Sequence, residues 1–318
     1  MKFLAAGVPP FTLNLWQDLH QIWQYDFMQR AIIAGTILSL IAGLVGTFVV
    51  VRHQAFAGES LSDVAFTGAL GGAALGFNPL LTLFGTTVLV ALIMGGFGER
   101  LRGRDVAIGT VLAWVLGLGD LFLVLFTSHV SGTGTGFSGV TILFGNLLGT
   151  SPDAIGIIAW VGAGVLVALF VIARPLLFAS LDPDVAAARG VAVRSIGLGF
   201  MVILAVTVSL ATLTVGALLV FALLLLPAAI AQQMTTRPYV ALMLAAGIAL
   251  VVTWVGIAFS FYTSYPVSVS ISLLAFTVYL VTLGRNALNR RASASPRSPG
   301  TSGSASLRVR SSRVPYRG

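Results

Sequence analysis

Residues 28–51 read MQRAIIAGTILSLIAGLVGTFVVV, and from Ala31 to Val51 no ionisable side chain interrupts them. About 20 mainly apolar residues carry a helix across the hydrocarbon core of a bilayer, so this stretch is predicted to be a membrane span. Working outward, comparable runs recur near 54–76, 79–98, 106–127, 153–173, 191–211, 214–234, 239–261 and 266–284. The fold class that follows is an all-α integral membrane protein, a polytopic bundle of eight or nine transmembrane helices; a broken hairpin made by the sixth and seventh runs would lower the count.

Composition agrees with the span pattern. Of 318 residues, 57% are hydrophobic and 9% charged, too few charges for an ordinary water-facing surface. The net charge of +8 is carried by one end: residues 285–318 hold eight of the 18 basic residues and none of the ten acidic ones, which leaves the rest balanced at ten against ten. That Ser-, Pro-, Gly- and Arg-rich segment is expected to be a disordered cytoplasmic tail, because it cannot bury enough apolar surface to offset its ordering entropy. A solvated tail explains it without any nucleic-acid partner. Residues 1–27 are expected to form an amphipathic interfacial segment, with Phe11, Leu15, Leu19 and Ile22 at helical spacing and Trp16 and Trp23 at headgroup level. Residues 28–284 then form the transmembrane domain. The chain has no cysteine, which removes disulfides, thiolate metal ligands and cysteine nucleophiles.

Basic residues mark every second connection: Arg52, the group Arg100, Arg102 and Arg104, the stretch from Arg174 to Arg194, Arg237, and the tail. The intervening connections, around Asn78, 129–153, Thr212 and Thr263, carry no Lys or Arg. The positive-inside rule places the basic connections in the cytoplasm and the N-terminus outside, as in a bacterial-type plasma membrane.

Three acids fall inside the runs. An ionised acid in hydrocarbon is costly unless it pairs, meets water or neutralises, so each is a candidate functional group. Glu59 and Asp63, in GESLSD at 58–63, stand four residues apart, on one face of a helix and about one turn from each other. Two neighbouring acids repel; a divalent cation, a shared proton or a basic partner would each relieve them. Against this, Glu59 is close enough to Arg52 to be a solvated acid at a helix start. Asp120, in WVLGLGDLFL at 114–123, has no basic residue in its own run and is expected to face the bundle interior or a wet cavity, as a path residue or as an acid bonded to a neighbouring helix. His129, beside a glycine-rich loop, reads as incidental. Oxygen donors without sulfur favour harder ions such as manganese.

Five stretches in order carry a resemblance: VR at 51–52 with GESLSD and then Asn78-Pro79; ILFGNLLG at 142–149; LDPDVAAARGVAV at 181–193; VGALLVFALLLLPAA at 215–229; and GIAFSFYTSYP at 256–266. The chain resembles the ABC-3 family of permeases, which import zinc, manganese or iron(II). The resemblance implies a short helix at Asp182 to Gly190 that docks on a cytoplasmic ABC ATPase subunit, with Asp182, Asp184, Arg189 and Gly190 as coupling residues. It also implies a homodimer, an extracytoplasmic metal-binding protein that delivers cargo, and a divalent metal ion as substrate rather than a permanently bound cofactor. Such permeases usually carry an Asp and a His four residues apart in the second span, thought to line the metal path. Those positions are Glu59 and Asp63 here, the predicted metal contacts, with Asp120 as a further path residue. Replacing His by Asp should weaken preference for zinc relative to manganese or iron(II).

Two other classes remain open at the level of sequence. A proton-coupled secondary transporter would use the same acids as a relay and need no ATPase. An intramembrane enzyme would need a metal triad or nucleophile, but three histidines, no His-x-x-x-His and no His-Glu-x-x-His offer none. The only lysine is Lys2, so a phosphate-binding loop ending in Gly-Lys-Ser or Gly-Lys-Thr is absent, and nucleotide hydrolysis would have to come from a partner.

Overall fold

A backbone in hydrocarbon must close its hydrogen bonds within itself, and the helix does so. The computed structural model describes residues 24–96, 104–130, 145–263 and 265–293, and among them there is no strand. The elements are α1 (Asp26–Val51), α2 (Ala55–Leu75), α3 (Pro79–Gly96), α4 (Arg104–Val130), a 3₁₀ turn (Leu147–Gly149), α5 (Pro152–Leu181), α6 (Pro183–Ala188), α7 (Val193–Val215), α8 (Ala217–Met234), α9 (Pro238–Thr263) and α10 (Val267–Ser293).

Among the described residues eight helices, α1, α3, α4, α5, α7, α8, α9 and α10, are long and apolar enough to cross a membrane. The protein is an all-α integral membrane protein, as its sequence predicts. The remaining long helix, α2, has 21 residues and would reach about 30 Å at 1.5 Å per residue, but Glu59, Asp63 and its serines and glycines lower its hydropathy. It lies among α3, α4, α7 and α8, so neighbouring helices rather than lipid form much of its surroundings.

The main core forms where α1 meets α5, α7, α8 and α9, through Leu38, Ile41 and Phe48 of α1, Ile158 of α5, Leu204 of α7 and Leu223 of α8. Lipid tails are as apolar as these side chains, so close packing rather than water exclusion must hold the helices together. The small residues serve that end: the backbone of Gly46 passes directly beside the Leu224 carbonyl.

Hydrogen bonds and ring contacts sort the connections onto two ends of the bundle. Arg52, Ser180 and Phe200 share one, where Gln232 Nε2 also donates to the Thr47 carbonyl of α1 beside the Gln233–Asn286 contact. Tyr25, Phe261 and Tyr265 share the other.

Helices α7 and α8 meet at one residue, Gly216, whose φ of 90° and ψ of 153° suit glycine alone. Thr214, Val215, Gly216 and Ala217 are all buried. Asn146 N–H donates to the Thr214 carbonyl at 3.2 Å, and Ser62, in the first half of α2, donates from Oγ to the Ala217 carbonyl at 2.8 Å. The sixth and seventh runs therefore form a hairpin whose tip is covered by protein, whereas Phe77 and Asn78 at the α2–α3 turn are exposed.

Several boundaries differ from expectation by a few residues, and three of them are instructive. Helix α5 continues past residue 173 to Leu181 with Pro175 inside it; the charge of Arg174 and the missing N–H of one proline do not end a helix already held by α1 and α7. Helix α10 continues through Arg285 to Ser293, beyond the expected tail boundary at 284. No Gly or Pro stands between Arg285 and Ser293 to stop it, and Asn286 Nδ2 reaches Gln233 Oε1 at 3.4 Å. Helix α1 begins at Asp26 rather than residue 28. The interfacial segment, apart from residues 24–27, and the tail beyond 293 lie outside the described residues.

Candidate functional site

Helix α2 has one open stripe. Phe56, Glu59, Asp63 and Phe66 follow at spacings of three and four, so they share a face. Glu59 is exposed and Asp63 half-buried, while Ser60, Leu61 and Ser62 between them are buried. The two flanks of the stripe are tied down: Ser62 bonds the Ala217 carbonyl, and Thr67 Oγ1 donates to the Val115 carbonyl at 3.4 Å. Ser60 turns its hydroxyl back to the Phe56 carbonyl at 2.8 Å. The helix that carries the two carboxylates is thus held by its neighbours, with Glu59 open and Asp63 half covered by the chain itself.

Helix α4 runs parallel to α2, with Gly109 near Phe56, Gly119 near Thr67 and Phe122 near Gly71. In that register Asp120 lies about one and a half turns beyond Asp63, toward the end opposite Arg52. It is exposed, as are Trp114, Gly117 and Leu121. Sequence reasoning expected Asp120 to face the interior of the bundle or a wet cavity; within one chain it is not in the interior. An exposed acid within a span needs water or a second protein chain beside it. His129 falls in the last turn of α4. Among the described residues no three His, Cys, Asp or Glu side chains converge, so Glu59 and Asp63 form a pair rather than a complete ligand set.

At the Arg52 end, α6 is a short helix with both ends closed. Asp182 Oδ1 accepts from Val185 N–H at 3.1 Å, and Pro183 occupies the first turn, where a missing N–H costs nothing. At its other end Gly190, with φ 81°, lets its own N–H reach the Ala187 carbonyl and Val191 N–H reach the Ala186 carbonyl, both at 3.0 Å. The Arg189 guanidinium lies 6.0 Å from the centre of the Phe178 ring, which fastens α6 to α5. Ala186 is buried, whereas Asp182, Asp184, Val185, Arg189 and Gly190 are exposed. The arrangement is a short capped helix with an exposed outer surface. The sequence marked these residues but not the bond from Ser62 to Ala217, whose partners are separated by 155 positions and share no motif.

Comparison with known proteins bears on the whole bundle. The family model described as the ABC 3 transport family matches residues 24–286. The chain is 32% identical over 267 residues to the manganese transport system membrane protein MntC of Halalkalibacterium halodurans, covering 84% of this chain and 89% of that one. It is 26% identical over 276 residues to the chelated iron transport system membrane protein YfeD of Yersinia pestis, covering 84% and 89%. Among solved structures, PsaBC from Streptococcus pneumoniae in complex with Fab aligns with a TM-score of 0.72 and 25% identity, over 84% of this chain and 94% of that chain. The helices α1 to α9 and most of α10 fall within the matched residues, and the chain belongs to the ABC 3 transport family.

Proposed function

We propose that this chain is the membrane-spanning permease of an ATP-driven importer for manganese or iron(II), working as two copies on two separate ATPase subunits. The observation that carries the reading is the open stripe of α2, which holds one exposed and one half-buried carboxylate in surroundings where lipid alone would be a costly neighbour. A second copy facing that stripe would bring two such pairs around one axis and supply oxygen donors from both sides, as a hard divalent ion prefers. Asp120 would stand above them on the same route, nearer the entrance. A metal-binding protein would deliver the ion from outside.

The Arg52 end would face the cytoplasm, in keeping with the basic connections there. Exposed α6, with Asp182, Asp184, Arg189 and Gly190, would then meet the ATPase, and nucleotide-driven movement of that helix would alternate access to the acids. The named manganese and chelated-iron relatives support these ions over zinc, as does a pair of oxygen donors lacking the imidazole that zinc favours. Relay of protons by the same acids is the competing reading; it predicts transport driven by a proton gradient without the ATPase.

The test is metal uptake by cells that carry the permease with its ATPase, offered manganese, iron(II) and zinc. Asp63→Asn at equal expression should lower manganese or iron uptake about tenfold or more, the scale of one lost charged contact. Uptake that is indifferent to every ion, or that proceeds without the ATPase, overturns the proposal.

A further inference from the structure

Besides the packing of α7 on α2, one side chain joins the surroundings of the docking helix to the start of the acid-bearing helix. Arg52 caps α1, and its Nη1 donates to Ser180 Oγ at 3.2 Å. Ser180 stands in the last turn of α5, just before α6, and is itself held by the Leu176 carbonyl at 2.5 Å. The same guanidinium lies 5.7 Å from the centre of the Phe200 ring, in the first turns of α7, just after α6. Phe200 is fully buried and packs on Phe48, one turn before Arg52, with ring centres 6.1 Å apart. Arg52 therefore touches both helices from which α6 is suspended.

On its other side Arg52 leads directly into α2. Three residues separate α1 from α2, and their backbone is closed: Arg52 N–H donates to Phe48 O at 2.9 Å, His53 N–H to Val50 O at 3.1 Å, Gln54 N–H to Val49 O at 2.8 Å, and Gly58 N–H to Gln54 O at 3.1 Å. His53 takes a left-handed φ of 52° to make the turn, and Gln54 is buried. Beyond this turn α1 and α2 pack little against one another. A shift of the α5–α6–α7 corner thus reaches the start of α2, and Glu59 four residues on, through the fork of Arg52. A lysine keeps the charge but cannot hold a hydroxyl with one nitrogen while laying a flat cation on a ring.

We propose that Arg52 is the positioning residue that couples the docking helix α6 to the acid-bearing helix α2, through Ser180 and Phe200. This rests on the importer reading. The test uses the full complex of permease and ATPase in proteoliposomes, with manganese uptake and ATP hydrolysis measured on the same vesicles. Arg52→Lys should leave hydrolysis running while manganese moved per ATP falls about fivefold or more, the scale of a typical coupling between sites. Ser180→Ala should shift the ratio in the same direction, and Ser180→Thr, which keeps the hydroxyl, should restore it. A purely structural role would lower assembly and both rates together and leave the ratio unchanged. Wild-type ratios in Arg52→Lys and Ser180→Ala overturn the proposal; if Arg52→Lys does not assemble, Ser180→Ala decides alone. Failure of the wild-type complex to move manganese or iron(II) with ATP overturns the importer reading and this proposal together, whereas wild-type transport with unchanged variants removes Arg52 alone.

Discussion

Helices α2 and α5 reverse the relation between polarity and burial found in soluble proteins. Helix α5 is the most apolar of the membrane-spanning helices, yet little of it is buried, with Trp160, Val167, Phe170 and Val171 exposed along one side. Helix α2, too polar to pass as a span, is surrounded by α3, α4, α7 and α8. Hydropathy in a membrane protein reports contact with lipid, and the residues that lipid rejects are drawn to where protein or water can receive them. The least apolar of the long helices is the one that holds the Glu59 and Asp63 pair.

The contrast can be broken most forcefully by exchanging the character of the two helices. Phe170→Asp puts an acid on the open side of α5 at a cost of about 2.5–3.5 kcal/mol for insertion, and more if it cannot reach the interface. Folded protein recovered from membranes should fall steeply. Wild-type recovery would place that side of α5 against water or protein and remove the contrast. A smaller loss is expected inside: a Cβ at Gly68 of α2 would lie 3.1 Å from the Thr82 carbonyl and hard against the Thr86 hydroxyl, which is itself bonded to Thr82 O at 2.7 Å. Gly68→Leu must therefore separate α2 from α3, costing about 1–3 kcal/mol as overpacking does. Thermal melting in detergent measures it, and an unchanged midpoint would mean that α2 is free to move off α3.

Much of this was legible in the sequence because the bilayer imposes a length rule. The run at 28–51 became Asp26–Val51, and that at 239–261 became Pro238–Thr263. The pair Glu59 and Asp63 was legible for the same reason, since four residues on a helix share a face whatever the surroundings. The end of α5 was not: Arg174 and Pro175 resemble a boundary, and only packing against α1 and α7 carries the helix on to Leu181. Nor was the covered tip at Gly216 legible, because the bonds that cover it come from Asn146 and Ser62. Arg52 looked like one more basic junction; its meaning depends on Ser180, 128 positions away, and on Phe200.

The smallest effect separates two explanations of the open side of α5. Phe170 is 85% exposed in the single chain. If lipid covers it, Phe170→Leu exchanges one apolar group for another in a solvent that packs equally well around either, and the melting midpoint should move by no more than about 0.5 kcal/mol allows. If a second copy covers it, the ring fills a shaped space and its loss leaves a gap, which costs about 1 kcal/mol or more and weakens self-association. The dimer axis would then pass beside α5 rather than beside the stripe of α2, and the two acid pairs would not face each other. A near-silent Phe170→Leu keeps α5 in lipid and leaves Glu59 and Asp63 as the surface that needs a partner.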